Sequence, residues 1–190
     1  MLKVTKTKLD GVLIVEPKVF GDNRGYFFES YNKERFIEAG ITADFIQDNE
    51  SFSTYGVVRG LHFQKMPYTQ AKLVRVIQGE VLDVAVDVRE GSPTYGEHVA
   101  VKLSAENKRQ LYIPRGFAHG FAVLSETVTF CYKCDNYYNP EADGGVKFDD
   151  PALNIDWIVP AEKMMLSEKD QVQPFLKDVS IFNINDNLEG

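Results

Sequence analysis

The stretch Gly60-Leu61-His62-Phe63-Gln64 places one of three histidines where the surrounding residues are those of a hydrophobic core. An imidazole exchanges a proton near neutral pH, so a histidine on a core strand is a candidate for acid-base chemistry. Lys72 follows on the next predicted strand, and a second segment with a histidine runs Pro114-Arg115-Gly116-Phe117-Ala118-His119. Tyr132 lies beyond both. The sequence therefore predicts an active site whose parts come from several strands.

The elements that would position these residues are short strands with a period of two. Alternation or short apolar runs mark residues 72–77, 81–88, 98–103, 111–113, 120–124 and 127–134, with Gly or Pro turns between several of them. Such spacing predicts an all-β fold, a jelly-roll β-barrel or sandwich. A strand is also predicted at 12–15 and an aromatic-rich strand at 26–31, after a turn at 22–25.

Helices are expected to be short and peripheral. Asn32 can cap a helix over residues 33–39 that Gly40 ends, and short helices are expected after Ser167. Residues 178–190 are acidic and polar and are predicted to lie on the surface. Trp157 is predicted to lie in the core.

Length and charge limit the function classes. A chain of 190 residues, 44% hydrophobic and 26% charged, is typical of one globular domain. We expect a single cupin-like domain over residues 1–190, with a barrel core at about 20–160 and a covering segment at 161–190. The formal charge of −7 disfavours nucleic acid and anionic membranes as partners, because both attract basic surfaces. With no secretory leader and no apolar run long enough to cross a bilayer, we expect a cytoplasmic protein.

The two cysteines, Cys131 and Cys134, lie on one predicted strand. Their spacing directs them to opposite faces, and a structural zinc site normally needs four ligands. We therefore expect two reduced thiols.

Pro114-x-Gly116-x-x-His119 after an apolar strand resembles the second motif of cupins, jelly-roll barrels that usually bind a metal. The first cupin motif contains His-x-His and a downstream Glu, whereas this chain has His62-Phe63-Gln64. Two imidazoles without a supporting carboxylate make a poor transition-metal site. We therefore expect no metal.

Four motifs, in order, resemble the dTDP-4-dehydrorhamnose 3,5-epimerases, a family of metal-free cupins. They are Asp-Asn-Arg-Gly-Tyr-Phe-Phe-Glu at 22–29, Gly-Leu-His-Phe-Gln at 60–64, Ile-Pro-Arg-Gly-Phe-Ala-His-Gly-Phe at 113–121 and Leu-Ser-Glu-Lys-Asp at 166–170. The resemblance spans about residues 22–174. It implies a homodimeric isomerase that converts dTDP-4-dehydro-6-deoxy-D-glucose to dTDP-4-dehydro-L-rhamnose by inverting the two carbons beside the ketone. No cofactor is expected, because epimerisation beside a ketone needs no redox step and no Gly-x-Gly-x-x-Gly follows a strand.

The resemblance also implies roles for particular residues. His62 would remove the proton, Asp170 would orient His62, Lys72 would stabilise the oxyanion, and Tyr132 would donate a proton from the opposite face. Tyr138 would stack on the thymine ring. Contacts with the nucleotide sugar are implied for Arg24, Glu29, Gln47, Asp48, Asn49, Arg59, Lys72, His119, Tyr138, Asp143 and Lys169, where the arginines would bind the diphosphate. At Asp143 the family more often has Glu, which is one methylene longer.

Several points stay open at the level of sequence. Arg59 and His62 differ in strand parity, so a bulge at Gly60 or a loop is needed for both to face one ligand. The aromatic strand at 26–31 is a candidate for exchange between subunits. The alternatives are an epimerase of a single centre, a keto-isomerase of a related nucleotide deoxysugar, a metal-dependent cupin enzyme, and a catalytically silent module that binds nucleotide sugars.

Overall fold

The computed structural model describes residues 2–179 and 181–188, and over these residues the chain is built almost entirely of strands. Regular strands form where short apolar or alternating stretches are bounded by turn residues. Their bounds, in chain order, are β1 (Lys3–Lys6), β2 (Leu13–Glu16), β3 (Phe20–Asp22), β4 (Gly25–Phe27), β5 (Gln47–Thr54), β6 (Val58–Gln64), β7 (Lys72–Gln78), β8 (Glu80–Asp87), β9 (Arg89–Glu90), β10 (His98–Ser104), β11 (Gln110–Ile113), β12 (Phe117–Val123), β13 (Thr127–Cys134), β14 (Asp143–Gly145) and β15 (Phe182–Asn183).

Two antiparallel sheets make up the fold. The six-stranded sheet has the order β1-β2-β11-β7-β13-β5, and the five-stranded sheet has the order β10-β8-β12-β6-β14. The hairpin of β3 and β4 is separate from both sheets, and β9 pairs in parallel with β15. This arrangement confirms the predicted all-β sandwich with a jelly-roll core.

Apolar side chains fill three layers. The inner faces of the two sheets share a core that includes Val74, Phe121 and Phe130. A second core, with Trp157 buried in it, lies between the outer face of the five-stranded sheet and the C-terminal third of the chain. In the third, Phe36 packs against the outer face of the six-stranded sheet. The five-stranded sheet is therefore apolar on both faces.

The helices are short, as predicted. Helix α1 (Lys33–Glu38) begins at the cap Asn32, whose side chain accepts a hydrogen bond from the Arg35 amide. Helix α2 (Glu168–Gln171) is capped in the same way by Ser167, which accepts from the amide of Asp170. Three-residue 3-10 helices begin at Pro140, Ala161 and Leu176. Among the described residues no helix is long and apolar enough to cross a membrane.

Three expectations differ from the structure. The predicted strand at 26–31 ends at Phe27, because the chain then turns to place Tyr31 against Phe36 and Phe45. The six-stranded sheet includes β1 and β2, which lie before the expected start of the barrel core near residue 20. The segment from 178 onward is not wholly on the surface, because Phe182 is buried against Phe63. Residues 180, 189 and 190 of that segment lie outside the described residues.

Candidate active site

A bulge in β6 sets the direction of the residues around His62. Two successive register pairs join β12 to β6, His119 with His62 and Phe121 with Arg59. Between these pairs β12 takes two residue steps and β6 takes three. Of the two irregularities expected here, a bulge at Gly60 or a loop, the structure has the bulge. Gly60 has a φ of +115°, and a Cβ there would lie 2.6 Å from the Cα of Gly120, so the two strands approach closely only because glycine has no side chain.

The bulge leaves His62 facing the space between the sheets and in contact with Asp170. His62 Nε2 and Asp170 Oδ1 lie 2.5 Å apart, and their side chains are 30% and 4% exposed. Burial alone would raise the pKa of Asp170, but hydrogen bonds from His62, from Ser167 and from the Gly60 backbone outweigh burial and lower it. The ionised carboxylate therefore holds His62 as the Nε2–H tautomer, which leaves Nδ1 free to accept a proton.

His119 forms a second histidine–carboxylate pair on the neighbouring strand. Its Nε2 lies 3.0 Å from Asp83 Oδ2, and both side chains are buried. Burial lowers the pKa of His119; the Asp83 carboxylate opposes this, and the charges of Lys72 and His62 lower the pKa further. The two pairs lie side by side, because His62 and His119 are register partners.

The facing sheet contributes Lys72 and Tyr132. Lys72 begins β7 as the register partner of Cys134, which ends β13. Burial lowers the pKa of Lys72, and the charges of the Asp83 and Asp143 carboxylates oppose that shift. Tyr132 packs against Phe130 on the inner face; burial raises its pKa, so its phenol keeps its proton at neutral pH. His62 and Tyr132 therefore project from opposite sheets into one interior.

The two cysteines lie on opposite faces of β13, as the spacing predicts. Cys134 is buried beside Lys72, whereas Cys131 is partly exposed and donates to Glu50. Burial raises the pKa of each thiol to about 11, so both stay protonated at neutral pH.

Other predicted contact residues lie on or beside β6 and β13, and we call this group the mouth of the site: Gln47, Asn49, Arg59, Tyr138, Asp143 and Lys169. Gln47 donates to Asn49 Oδ1 at 3.0 Å and accepts from the Tyr138 amide at 3.2 Å. Arg59 donates to the hydroxyl of Ser53, and its charge acts on the phenol of Tyr132. Lys169 forms an ion pair with Asp143.

Three predicted contacts point elsewhere. Asp48 lies on the outer face of the six-stranded sheet, where it pairs with Lys133, because it alternates with Gln47 and Asn49 along β5. Arg24 pairs with Asp22 at the tip of the β3–β4 hairpin. Glu29 pairs with Arg35 of α1. In the part of the chain that the structure describes, the ion pairs of Arg24, Glu29 and Asp48 are therefore made away from His62 and Tyr132.

Asp83 is the site residue that the sequence did not single out. It lies in β8 between Leu82 and Val84, in a strand whose two faces are both buried. A carboxylate in such a strand needs a partner, since an unpaired buried charge is strongly unfavourable. That local signal could have predicted a paired aspartate, although not that the partner would be His119.

A family model described as dTDP-4-dehydrorhamnose 3,5-epimerase matches residues 6–178. The chain is 55% identical over 170 residues to the dTDP-4-dehydrorhamnose 3,5-epimerase of Shigella flexneri, covering 89% of this chain and 93% of that protein.

Two crystal structures show the same similarity in three dimensions. The dTDP-4-dehydrorhamnose 3,5-epimerase from Elizabethkingia anophelis NUHP1 is 57% identical with a TM-score of 0.89, over 93% of this chain and 97% of that one. The dTDP-6-deoxy-D-glucose-3,5-epimerase from Legionella pneumophila Philadelphia 1, in complex with dTDP-4-keto-L-rhamnose, is 48% identical with a TM-score of 0.94, over 98% and 100%. The similarity therefore covers nearly the whole of each chain.

Proposed function

This chain belongs to the dTDP-4-dehydrorhamnose 3,5-epimerase family, and on that basis we propose how its own residues carry out the reaction. The enzyme converts dTDP-4-dehydro-6-deoxy-D-glucose to dTDP-4-dehydro-L-rhamnose, an isomerisation within dTDP-rhamnose biosynthesis. Each of the two inversions removes a proton from one face of a carbon beside the ketone and returns a proton to the other face. The reaction therefore needs a base, an acid and a partner for the enolate oxygen.

The observation that carries the proposal is the placement of His62 and Tyr132 on facing sheets. His62 is the base: Asp170 holds its Nε2–H, and Nδ1 takes the proton from the sugar carbon. The imidazolium that forms is stabilised by the Asp170 carboxylate. Tyr132 is the acid, because its buried phenol is protonated at neutral pH and delivers a proton from the other side of the ring.

Lys72 stabilises the enolate oxygen. Its Nζ can donate an N–H in either protonation state, so the pKa that burial lowers does not remove this role. In a site with little water such a donor is worth more than in solution. His119, held by Asp83, is a second contact for the sugar.

The nucleotide part of the substrate occupies the mouth. Arg59 binds the diphosphate through charge-assisted hydrogen bonds, and the side-chain amides of Gln47 and Asn49 donate hydrogen bonds to the nucleotide sugar. Tyr138, half exposed on its loop, stacks on the thymine ring. The ion pair of Lys169 and Asp143 at the same mouth gives way to contacts with the ligand.

Arg24 and Glu29 act in the site of a neighbouring subunit. The hairpin that carries Arg24 exposes Phe20 by 54% and Phe27 by 70%, an apolar surface typical of a subunit contact. A homodimer in which each hairpin extends to the other subunit brings both residues to a ligand. The cytoplasmic location and the absence of a metal ion stay predictions.

The direct test is incubation with dTDP-4-dehydro-6-deoxy-D-glucose in deuterated water, followed by mass spectrometry of the product. Two deuterons per molecule are expected, one at each carbon beside the ketone. One deuteron would indicate an epimerase of a single centre. No incorporation would contradict the proposed function.

A further inference from the structure

One buried amide near the site has no part in the proposed chemistry. Gln64 ends β6, two residues after His62, and its side chain is buried. Its Nε2 donates to the carbonyl of Tyr68 at 2.8 Å and to that of Tyr137 at 3.1 Å, and its Oε1 accepts from the amide of Asn139 at 2.7 Å. Each polar atom of this side chain thus has a backbone partner.

Two of these partners lie on either side of Tyr138. Gln64 holds the carbonyl before Tyr138 and the amide after it, while Gln47 holds the Tyr138 amide itself. The ring of Tyr138 is 54% exposed, so packing constrains it little. The hydrogen bonds to the flanking backbone therefore fix where the Tyr138 side chain leaves the loop.

The same strand connects this loop to the proton-transfer residues. In β6, His62 and Gln64 share the face opposite Phe63, and β14 pairs with both of them through Gly145 and Asp143. A shift of the Tyr138 loop relative to β6 would change the distance between Tyr138, where the base stacks, and His62, where the sugar reacts. Gln64 fixes that distance at the level of the backbone.

We propose that Gln64 is a positioning residue for the nucleotide, which holds Tyr138 where the base of the substrate stacks. This inference rests on the proposed function, because it assumes that the ligand is a thymidine diphosphate sugar. Few side chains can replace Gln64: Glu keeps the acceptor but loses both donors, and Asn is one methylene shorter. An apolar replacement would leave the Tyr137 carbonyl and the Asn139 amide without their partner.

The test compares Gln64→Met with the parent by calorimetry and by exchange kinetics. The dissociation constant for thymidine diphosphate should rise about tenfold, as expected when a few hydrogen bonds that preorganise a site are lost. KM should rise with it, while kcat for deuterium exchange stays within about twofold, because the groups that move protons are untouched. Binding of inorganic pyrophosphate, which has no base, should be unchanged.

Two controls separate positioning from general damage. Gln70→Met removes another side-chain amide that holds the Tyr138 loop, by donating to the Asn136 carbonyl at 2.8 Å from the β6–β7 connection, and should leave thymidine diphosphate binding nearly intact. In a Tyr138→Ala background, Gln64→Met should cost little further affinity, because its effect passes through Tyr138. If Gln64→Met does not fold, Gln64→Glu serves in the same cycle.

Parent-like binding of thymidine diphosphate by the Gln64 variant would overturn the inference, and so would an undiminished loss in the Tyr138→Ala background. A parent enzyme that neither binds thymidine diphosphate nor exchanges deuterium would instead overturn the proposed function.

Discussion

Two histidine–aspartate pairs stand next to each other in this site, and they differ in their access to solvent. His62 is partly exposed with a buried carboxylate behind it, whereas His119 and Asp83 are both buried. A base must reach a ligand on one side and be held on the other, which is the setting of His62. We therefore assign proton removal to His62 and a fixed contact to His119.

Asp170→Asn should slow deuterium exchange by about a hundredfold or more, because an amide can hydrogen-bond His62 but cannot stabilise the imidazolium. The helix should persist, since Ser167 caps it through the backbone amide of residue 170. Exchange rates at saturating substrate measure the effect. Glu168→Gln, which neutralises an exposed acid on the same helix, is the control and should behave as the parent. Equal rates for Asp170→Asn and the parent would remove Asp170 from the mechanism.

Some of these site residues could be predicted from the sequence, and others could not. Histidines are few, so His62 and His119 could be chosen directly, and the motif with Ser167 pointed to Asp170. Asp83 could not be assigned to His119, because the two residues meet only when β8 pairs with β12. Asp48 was among the contacts that the resemblance implied, but strand alternation turns it outward.

Among the strands, β6 matters most for the proposed site, because its bulge lets Arg59 and His62 face the same interior. The need for that irregularity followed from their parity, and its location followed from Gly60. Strand positions from 72 to 134 were also predictable, since apolar runs and turn residues there agree with the pairing. The end of β4 at Phe27 was not predictable, because it depends on aromatic contacts with α1 and Phe45.

Gly60→Ala should destabilise the protein by about 3 kcal/mol, from the positive φ and from the clash of its Cβ with the β12 backbone. Urea denaturation measures the change. Gly40→Ala is the matched control: its φ is +88°, but nothing lies within 4 Å of the added Cβ, so it should cost only the strain. If the two variants were equally stable, close approach of β6 and β12 would not be what requires glycine at 60.

At the scale of the whole molecule, the proposed dimer would bring Arg24 and Glu29 of one subunit to the site of the other. Arg24 forms an ion pair with Asp22, and Glu29 forms one with Arg35. Both pairs lie near exposed aromatic residues of the same subunit. The family resemblance implied a binding role for these residues, but the sequence could not predict which subunit's site they enter, because that depends on a second chain.

A mixture of two inactive variants tests the shared site. In heterodimers of His62→Ala and Arg24→Ala, one site receives His62 from one subunit and Arg24 from the other, while the second site lacks both. After mixing under exchange of subunits, activity should return to about a quarter of the parent level, since half the dimers would have one intact site. A mixture of His62→Ala with parent-like Lys6→Ala should keep about half the parent activity whether or not subunits exchange, so it controls for damage by the mixing conditions, and native mass spectrometry counts the heterodimers. Failure of the first mixture to recover activity would contradict the exchange of hairpins.

We propose above all that His62 and Tyr132 act on opposite faces of one sugar ring. The decisive measurement is deuterium uptake from solvent compared with inversion of configuration, by mass spectrometry and NMR, for Tyr132→Phe and His62→Ala. We predict that Tyr132→Phe still exchanges deuterium but inverts at least about a hundredfold more slowly, because the proton returns to the face it left. We predict that His62→Ala does neither while it still binds thymidine diphosphate. Inversion at the parent rate by either variant would contradict the account.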